Sequence, residues 1–297
     1  MLEMQIANRI HLFLVLYSEQ PMKPNTSSLA LAALAFSGAA WGAVISYPDF
    51  SSVAGLTLNG SAAQIGNVLR LTPEDFSRAG SAFNTTPITL ASDTSFSTYF
   101  RFRISRPTIG GSDADGPGAD GLTFVVQTVA ANVGGIGGGI GYLGIPNSLG
   151  VEFDTWNNGA GWGDPNGNHV NFDYNGSFST SGAVPVSPRL NDGDIWHAWV
   201  DYNGNTDLLE LRLSLSDSRP ATALLSQTVD LPAIFGSANV FAGFTSGTGA
   251  AVGNHDILSW EFRDDYSPIP EPATGAAVFG GVALAVAARL RRRPSEN

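Results

Sequence analysis

The sequence predicts an all-β chain, an antiparallel sandwich carried between two processing segments, and three observations point there. Short segments with apolar residues at alternate positions recur, and no window outside the chain ends has an apolar period near 3.6 over three turns. Clusters of Gly, Asn, Asp and Pro separate the segments, in a chain with 35 glycines, 17 prolines and only three methionines. About 230 of the 297 residues remain once both ends are set aside, enough for one large sandwich without internal repeats. Composition narrows the chemistry. With no cysteine there is neither a disulfide framework nor a thiolate metal site. From residue 44 to 272, nine arginines face 23 carboxylates, a formal charge of −14 against −11 for the whole chain. Such a surface argues against a nucleic-acid partner.

From the N-terminus, Met22 reads as the start and residues 1–21 as a mis-called extension, with an apolar patch (Ile10–Tyr17) broken by Glu19, Gln20 and Pro21. A long genuine leader is the alternative. Residues 22–43 have the order of a secretory signal peptide: Lys23, the apolar run Leu29–Phe36, then the small residues Ser37–Ala40. The domain is expected over 44–266. Phe96–Ile104 alternates from Phe100 onward, and Gly121–Gln127, Leu149–Thr155, His169–Tyr174, Ile195–Tyr202, Leu208–Leu215 and Phe241–Phe244 read as further strands. Asn203-Gly204 between two of them is a hairpin signal.

The tail, 267–297, carries Pro270-Glu271-Pro272, an uncharged span over 274–288, and arginines at 289, 291, 292 and 293. At near 15 residues the span is short of the roughly 20 that cross a bilayer comfortably. Arginines directly after it fit a C-terminus held in the cytoplasm. This ordered triplet resembles the PEP-CTERM sorting signal of Gram-negative bacteria. The resemblance implies a transmembrane sorting tail, processing by signal peptidase and by a membrane exosortase, transient anchoring in the inner membrane, and delivery to the cell surface or extracellular matrix.

Candidate chemistry concentrates in one short window. Val151–Asn158 places Glu152, Asp154 and Trp156 on one strand face, with the two carboxylates about 7 Å apart along the strand. A Gly- and Asn-rich loop follows, then Asp164-Pro165 and His169. Glu152, Asp154, Asn158 and Asp164 are hard oxygen donors suited to Ca²⁺. His169 adds a nitrogen that suits a second, transition-type position. Residues alone leave two readings open, a metal site or a polar turn.

Val151-Glu-Phe-Asp-Thr-Trp-Asn-Asn158, then Asp164-Pro165 and His169-Val-Asn-Phe-Asp173, resembles the metal-binding signature of legume-type (L-type) lectins. Ala119-Asp-Gly-Leu-Thr-Phe124, the Gly-rich stretch Gly137–Gly144, and Phe241–Ala250 through His255–Phe262 resemble further pieces of that family, in the same order. The resemblance implies a concanavalin-like jelly roll that binds glycans without catalysis. It implies Ca²⁺ on Asp154, the Trp156 carbonyl, Asn158 and Asp164, and a neighbouring Mn²⁺-type ion on Glu152, Asp154, Asp164 and His169. Sugar would meet Asp120, the Asn158 amide, a backbone N–H at Gly139 or Gly141, and the Trp156 ring, with Ala250 and Ala251 in the specificity loop. A cis peptide at Ala119–Asp120 is implied as well. Two departures stand out: the stretch from Asn158 to Asp164 is one or two residues longer than in plant members, and Ala251 is small where many relatives carry a contacting side chain.

Other motifs weigh less. Gly139–Gly144 matches G-x-G-x-x-G but opens no helix, so a dinucleotide site is not expected. Glu152 and Asp154 match the first two acidic positions of the Glu-x-Asp-x-Glu of β-glucan hydrolases, yet the third position is Trp156, which leaves the retaining pair incomplete. His197 and His255 read as structural, and Trp196, Trp199 and Tyr202 as core or sheet face. The expectation is an exported, metal-ordered lectin. A matrix protein of the same fold with weak or no glycan binding is the alternative, and a β-glucan hydrolase a more distant one.

Overall fold

A computed structural model of the protein describes residues 44–134 and 137–270. The signal-peptide reading, the apolar span 274–288 and the basic cluster 289–293 lie outside these residues, as does all of the Pro-Glu-Pro motif except Pro270. Among the described residues no helix is long and apolar enough to cross a membrane.

Two antiparallel sheets of eight strands make the domain. Neighbours in the first sheet run Leu225–Thr228, Leu208–Ser214, Trp196–Asn203, Phe96–Ile104, His255–Arg263, Val68–Thr72, Ala63–Ile65, with Val44–Tyr47 also on the His255–Arg263 strand. In the second they run Val184–Pro185, His169–Tyr174, Ser148–Asp154, Gly121–Gln127, Asn239–Gly247, Ala79–Asn84, Leu56–Gly60, with Ile88–Thr89 also on Asn239–Gly247. Runs of consecutive strands, such as Gly121–Gln127 to Val184–Pro185 in the second sheet, alternate with crossovers between the sheets, the connectivity of a jelly roll.

Alternation decides what meets between the sheets. The Phe100 ring of the first sheet lies 5.7, 5.8 and 5.0 Å from those of Phe124, Phe153 and Phe244 of the second. With a side-chain period of two, Thr123, Glu152 and Asp154 must then point away from this core. They are buried all the same, at 2% exposure or less. Two coverings do this: Tyr142 and Ile145 pack on Phe83 and Val125 over part of the outer face of the second sheet, and the chain after Asp154 folds back on the carboxylates. Gly150 makes room for the first of these, since a Cβ there would stand 2.9 Å from the Tyr142 ring. Polar residues on that face are therefore enclosed.

The expected strands form, with adjusted ends. Leu149–Thr155 is Ser148–Asp154, and Phe241–Phe244 extends to Asn239–Gly247. The extension carries Thr245, Ser246 and Gly247, which have no apolar side chain to signal a strand, yet pair on both sides with Gly121–Thr123 and Ala79–Ser81. The hairpin at Asn203-Gly204 forms through residues 204–207. Gly204 serves close approach there, because a Cβ would sit 1.6 Å from the Asp93 carbonyl oxygen. One short helix, Leu231–Phe235, was not foreseen; the Asp230 side chain caps its start, accepting from the Ala233 N–H at 2.9 Å.

Candidate functional site

Two adjacent strands of the second sheet, Ser148–Asp154 and His169–Tyr174, carry the metal-type side chains Glu152, Asp154 and His169. Register sets Asp154 between Gly121 and His169, and Glu152 between Thr123 and Asn171. One ligand atom each from Glu152, Asp154 and His169 lies within 4.8 Å of the others. Asp164 enters from the following loop with its side chain 4% exposed, Oδ1 3.7 Å from His169 Nε2, while Glu152 Oε1 lies 3.5 Å from the same nitrogen. The loop is folded onto its own carboxylates: Asp154 Oδ1 accepts the Trp156 N–H at 2.6 Å and Asp164 Oδ2 the Asn158 N–H at 2.5 Å.

His169 decides what this cluster is suited to hold. Its Nδ1 stands 2.9 Å from the Asn166 carbonyl oxygen, which can only accept, so Nδ1 carries the proton. Burial lowers the imidazole pKa, against the pull of Asp164, and favours the neutral ring. Nε2 then turns a bare lone pair toward carboxylate oxygens, buried and without a hydrogen-bond partner. Burial also raises the carboxyls, that of Asp154 reinforced by Glu152, Asp164 and Asp120, and that of Glu152 by Asp164. Oxygen donors and one imidazole lone pair converging in a buried site fit divalent cations, and a ring nitrogen with its other N–H fixed on a carbonyl is the usual pose of a metal-bound histidine.

Asp120 stands at the end of the central strand, where the Ala119–Asp120 peptide is cis, as expected. Its N–H donates to the Gly247 carbonyl at 3.1 Å and its carbonyl accepts the Thr155 N–H at 3.0 Å. The side chain is 5% exposed, its Oδ2 has no partner, and burial pushes its pKa up to about 7. Two glycine loops close on this corner. A Cβ at Gly249 would lie 3.4 Å from Asp120 Oδ2, and one at Gly138 would lie 2.8 Å from the Asn158 amide. Gly139 and Gly141 lie buried beside Gly138, against Leu143 and Thr245. Trp156 is half-buried, Ala250 is exposed and Ala251 is buried. His197 and His255 sit elsewhere, bonded through Nδ1 to the Tyr99 hydroxyl at 2.8 Å and the Thr72 hydroxyl at 2.7 Å.

Three acidic residues near the cluster carried no expected role. Asp173 is four residues beyond His169 on the same strand, hence on the same face, and is fully buried; burial and Glu152 raise its carboxyl well above the usual range. The strand period could have found it. Asp113 and Asp115 belong to a small hairpin (Ser112–Asp113 with Gly116–Pro117) and bond to the metal-type loop across more than 40 residues of chain. No local pattern points to them.

Comparison with known proteins agrees with this architecture. The legume lectin domain matches residues 44–276. L-type lectin-domain containing receptor kinase VIII.1 of Arabidopsis thaliana is 32% identical over 245 residues, 76% of this chain and 33% of that protein. Receptor kinase S.7 of Oryza sativa subsp. japonica is 30% identical over 302 residues, 89% of this chain and 40% of that protein. The chain thus spans about a third of the length of the curated relatives it matches, and their kinase part lies outside the shared domain. Among solved structures, the lectin from Bauhinia forficata in complex with GalNAc has a TM-score of 0.64 at 30% identity, covering 75% of this chain and 97% of that one. Winged bean acidic lectin complexed with methyl-α-D-galactose has a TM-score of 0.63 at 29% identity, covering 74% and 97%. Legume lectin domains are non-catalytic, carbohydrate-binding units. By the extent of the domain match and by this agreement in fold, the chain belongs to the legume lectin domain family.

Proposed function

We propose that this protein is an exported, non-catalytic lectin that binds glycans at the Asp120–Asn158 corner, with divalent metals ordering the site. The observation that carries the proposal is the unpartnered, buried Asp120 Oδ2 beside the His169–carboxylate cluster. Ca²⁺ belongs on Asp154, the Trp156 carbonyl, Asn158 and Asp164, and a Mn²⁺-type ion on Glu152, Asp154, Asp164 and His169. When bound, these ions supply positive charge between the carboxylates and hold the loop. The chain does the recognition. Asp120 accepts from sugar hydroxyls, the Asn158 amide donates, a backbone N–H of the Gly137–Gly141 stretch adds a donor, and the Trp156 ring offers an apolar plane to the C–H face. Ala250 and Ala251 occupy the loop that limits which sugar enters. Galactose-type sugars are the first to test, since the Bauhinia forficata and winged bean lectins were solved with GalNAc and methyl-α-D-galactose.

Export rests on residues 22–43 and on the 267–297 tail. Signal peptidase and exosortase are the processing partners, and the cell surface or matrix is the destination. A glycan array read with metals, and again after EDTA, tests the function. Metal-dependent binding that Asp120→Ala abolishes is expected. Silence on a broad array with both metals present would transfer the assignment to a matrix role, and turnover of a β-glucan lost in Glu152→Gln would transfer it to a hydrolase.

A further inference from the structure

The metal-type loop is held from outside by a hairpin that the sequence did not connect with it. Loop residues Trp156 to Gly167 include three proposed ligands and the lengthened stretch between Asn158 and Asp164. Asp113 Oδ2 accepts the Asn157 N–H at 3.0 Å, where the loop begins. Asp115 Oδ2 accepts the Gly167 N–H at 2.7 Å, where it ends. The Asp113 carboxylate occupies the place a side chain at 167 would need, since a Cβ there would stand 1.9 Å from Oδ2. Glycine at 167 therefore makes room for the contact.

The hairpin is itself fixed. Asp113 Oδ1 accepts the N–H groups of Asp115 and Gly116 at 2.9 and 3.1 Å. Arg189 donates to the Asp115 carbonyl, and Asn191 to that of Pro117 at 3.1 Å. Gly111, just before it, donates to the Ala250 carbonyl at 3.0 Å. Three residues past Pro117 the same strand of chain reaches Asp120. One rigid segment thus touches both ends of the metal loop, the Ala250 loop and the sugar-binding carboxylate.

We infer that Asp113 and Asp115 are positioning residues for the calcium loop. They order residues 157–167 before metal arrives, so the longer loop loses less conformational freedom when it closes on Ca²⁺. The inference rests on the proposed metal site. It does not require a glycan, and the test uses none.

Ca²⁺ titrated calorimetrically into the metal-stripped protein is the measurement, on wild type, Asp113→Ala, Asp115→Ala and Asp115→Asn. Each alanine variant should keep the wild-type stoichiometry and bind about tenfold more weakly, the effect of losing one hydrogen bond to the loop. Asp115→Asn retains an oxygen acceptor for the Gly167 N–H and should return to within about twofold of wild type. Since Asp115 is exposed, its pair of variants carries the test even if Asp113→Ala fails to fold. Alanine variants that bind Ca²⁺ as wild type does would overturn the inference. So would Asp115→Asn as weak as Asp115→Ala, because charge rather than the hydrogen bond would then be at work. A wild type that takes up no Ca²⁺ would instead overturn the metal site itself.

Discussion

Stripping the metals should leave a protein whose stability falls as pH rises from 6.5 to 8. Asp120, Glu152, Asp154, Asp164 and Asp173 all have carboxyl pKa values raised by burial, Asp120 to about 7 and Glu152 to about 8. Unfolded, the same groups titrate near 4. Between these ranges the native state holds more protons than the unfolded one, so unfolding free energy decreases with pH. The lowered pKa values of His169, His197 and His255 act the other way, but only below about 6.5, where unfolded histidine gains charge. One proton held across the 1.5 units from 6.5 to 8 corresponds to about 2 kcal/mol. For a domain of this size that is roughly 4–8 °C in Tm. With metals bound the slope should become shallower, because cations compete with protons for Glu152, Asp154 and Asp164 and their charge favours ionised carboxylates nearby. Chelation itself should also be costly: two sites at a hundredfold excess of metal over Kd contribute about 5 kcal/mol, or roughly 10–20 °C. Differential scanning calorimetry at pH 6.5, 7.2 and 8, with EDTA and with Ca²⁺ plus Mn²⁺, reads all of this. A metal-free Tm that is flat or rises over that window would refute the buried-carboxylate account.

Two further outcomes are expected. Asp154→Ala should lose both ions, since Asp154 is a ligand proposed for both, whereas His169→Ala should lose mainly the transition-type ion; elemental analysis of the dialysed variants separates the two. Gly150→Ala should force the Tyr142 ring off the sheet and destabilise the domain by about 1–3 kcal/mol, read as a lowered Tm with metals present.

The legible parts of the fold were the strands whose apolar residues stand between clear turn signals. Phe96–Ile104, Gly121–Gln127 and His169–Tyr174 have the limits that their patterns predict. Ala79–Asn84 is less readable, because small residues fill it and the neighbouring strands and loops, not its own side chains, bury it. Within the site, Glu152, Asp154 and His169 were readable from strand period and donor type, and their register brings them together. The glycine loop was readable only as a stretch. Which glycine meets Asn158 depends on how the chain turns through the short 3₁₀ segment Gly137–Gly139, and contact falls at Gly138. Asp113 and Asp115 act at long range on backbone N–H groups, which leave no mark in side-chain patterning.

The central claim is that Asp120 binds sugar and neither metal. Its Oδ2 is buried and unpartnered, while the cation-suited atoms lie with Glu152, Asp154, Asp164 and His169. Glycan affinity and metal content should therefore be measured together on wild type and Asp120→Ala, in saturating Ca²⁺ and Mn²⁺. The account predicts full metal content in both proteins, near-equal Tm, and glycan binding in wild type alone, since losing a buried charged acceptor costs a few kcal/mol of affinity. Equal glycan binding by the two proteins, or loss of metal from Asp120→Ala, would contradict it.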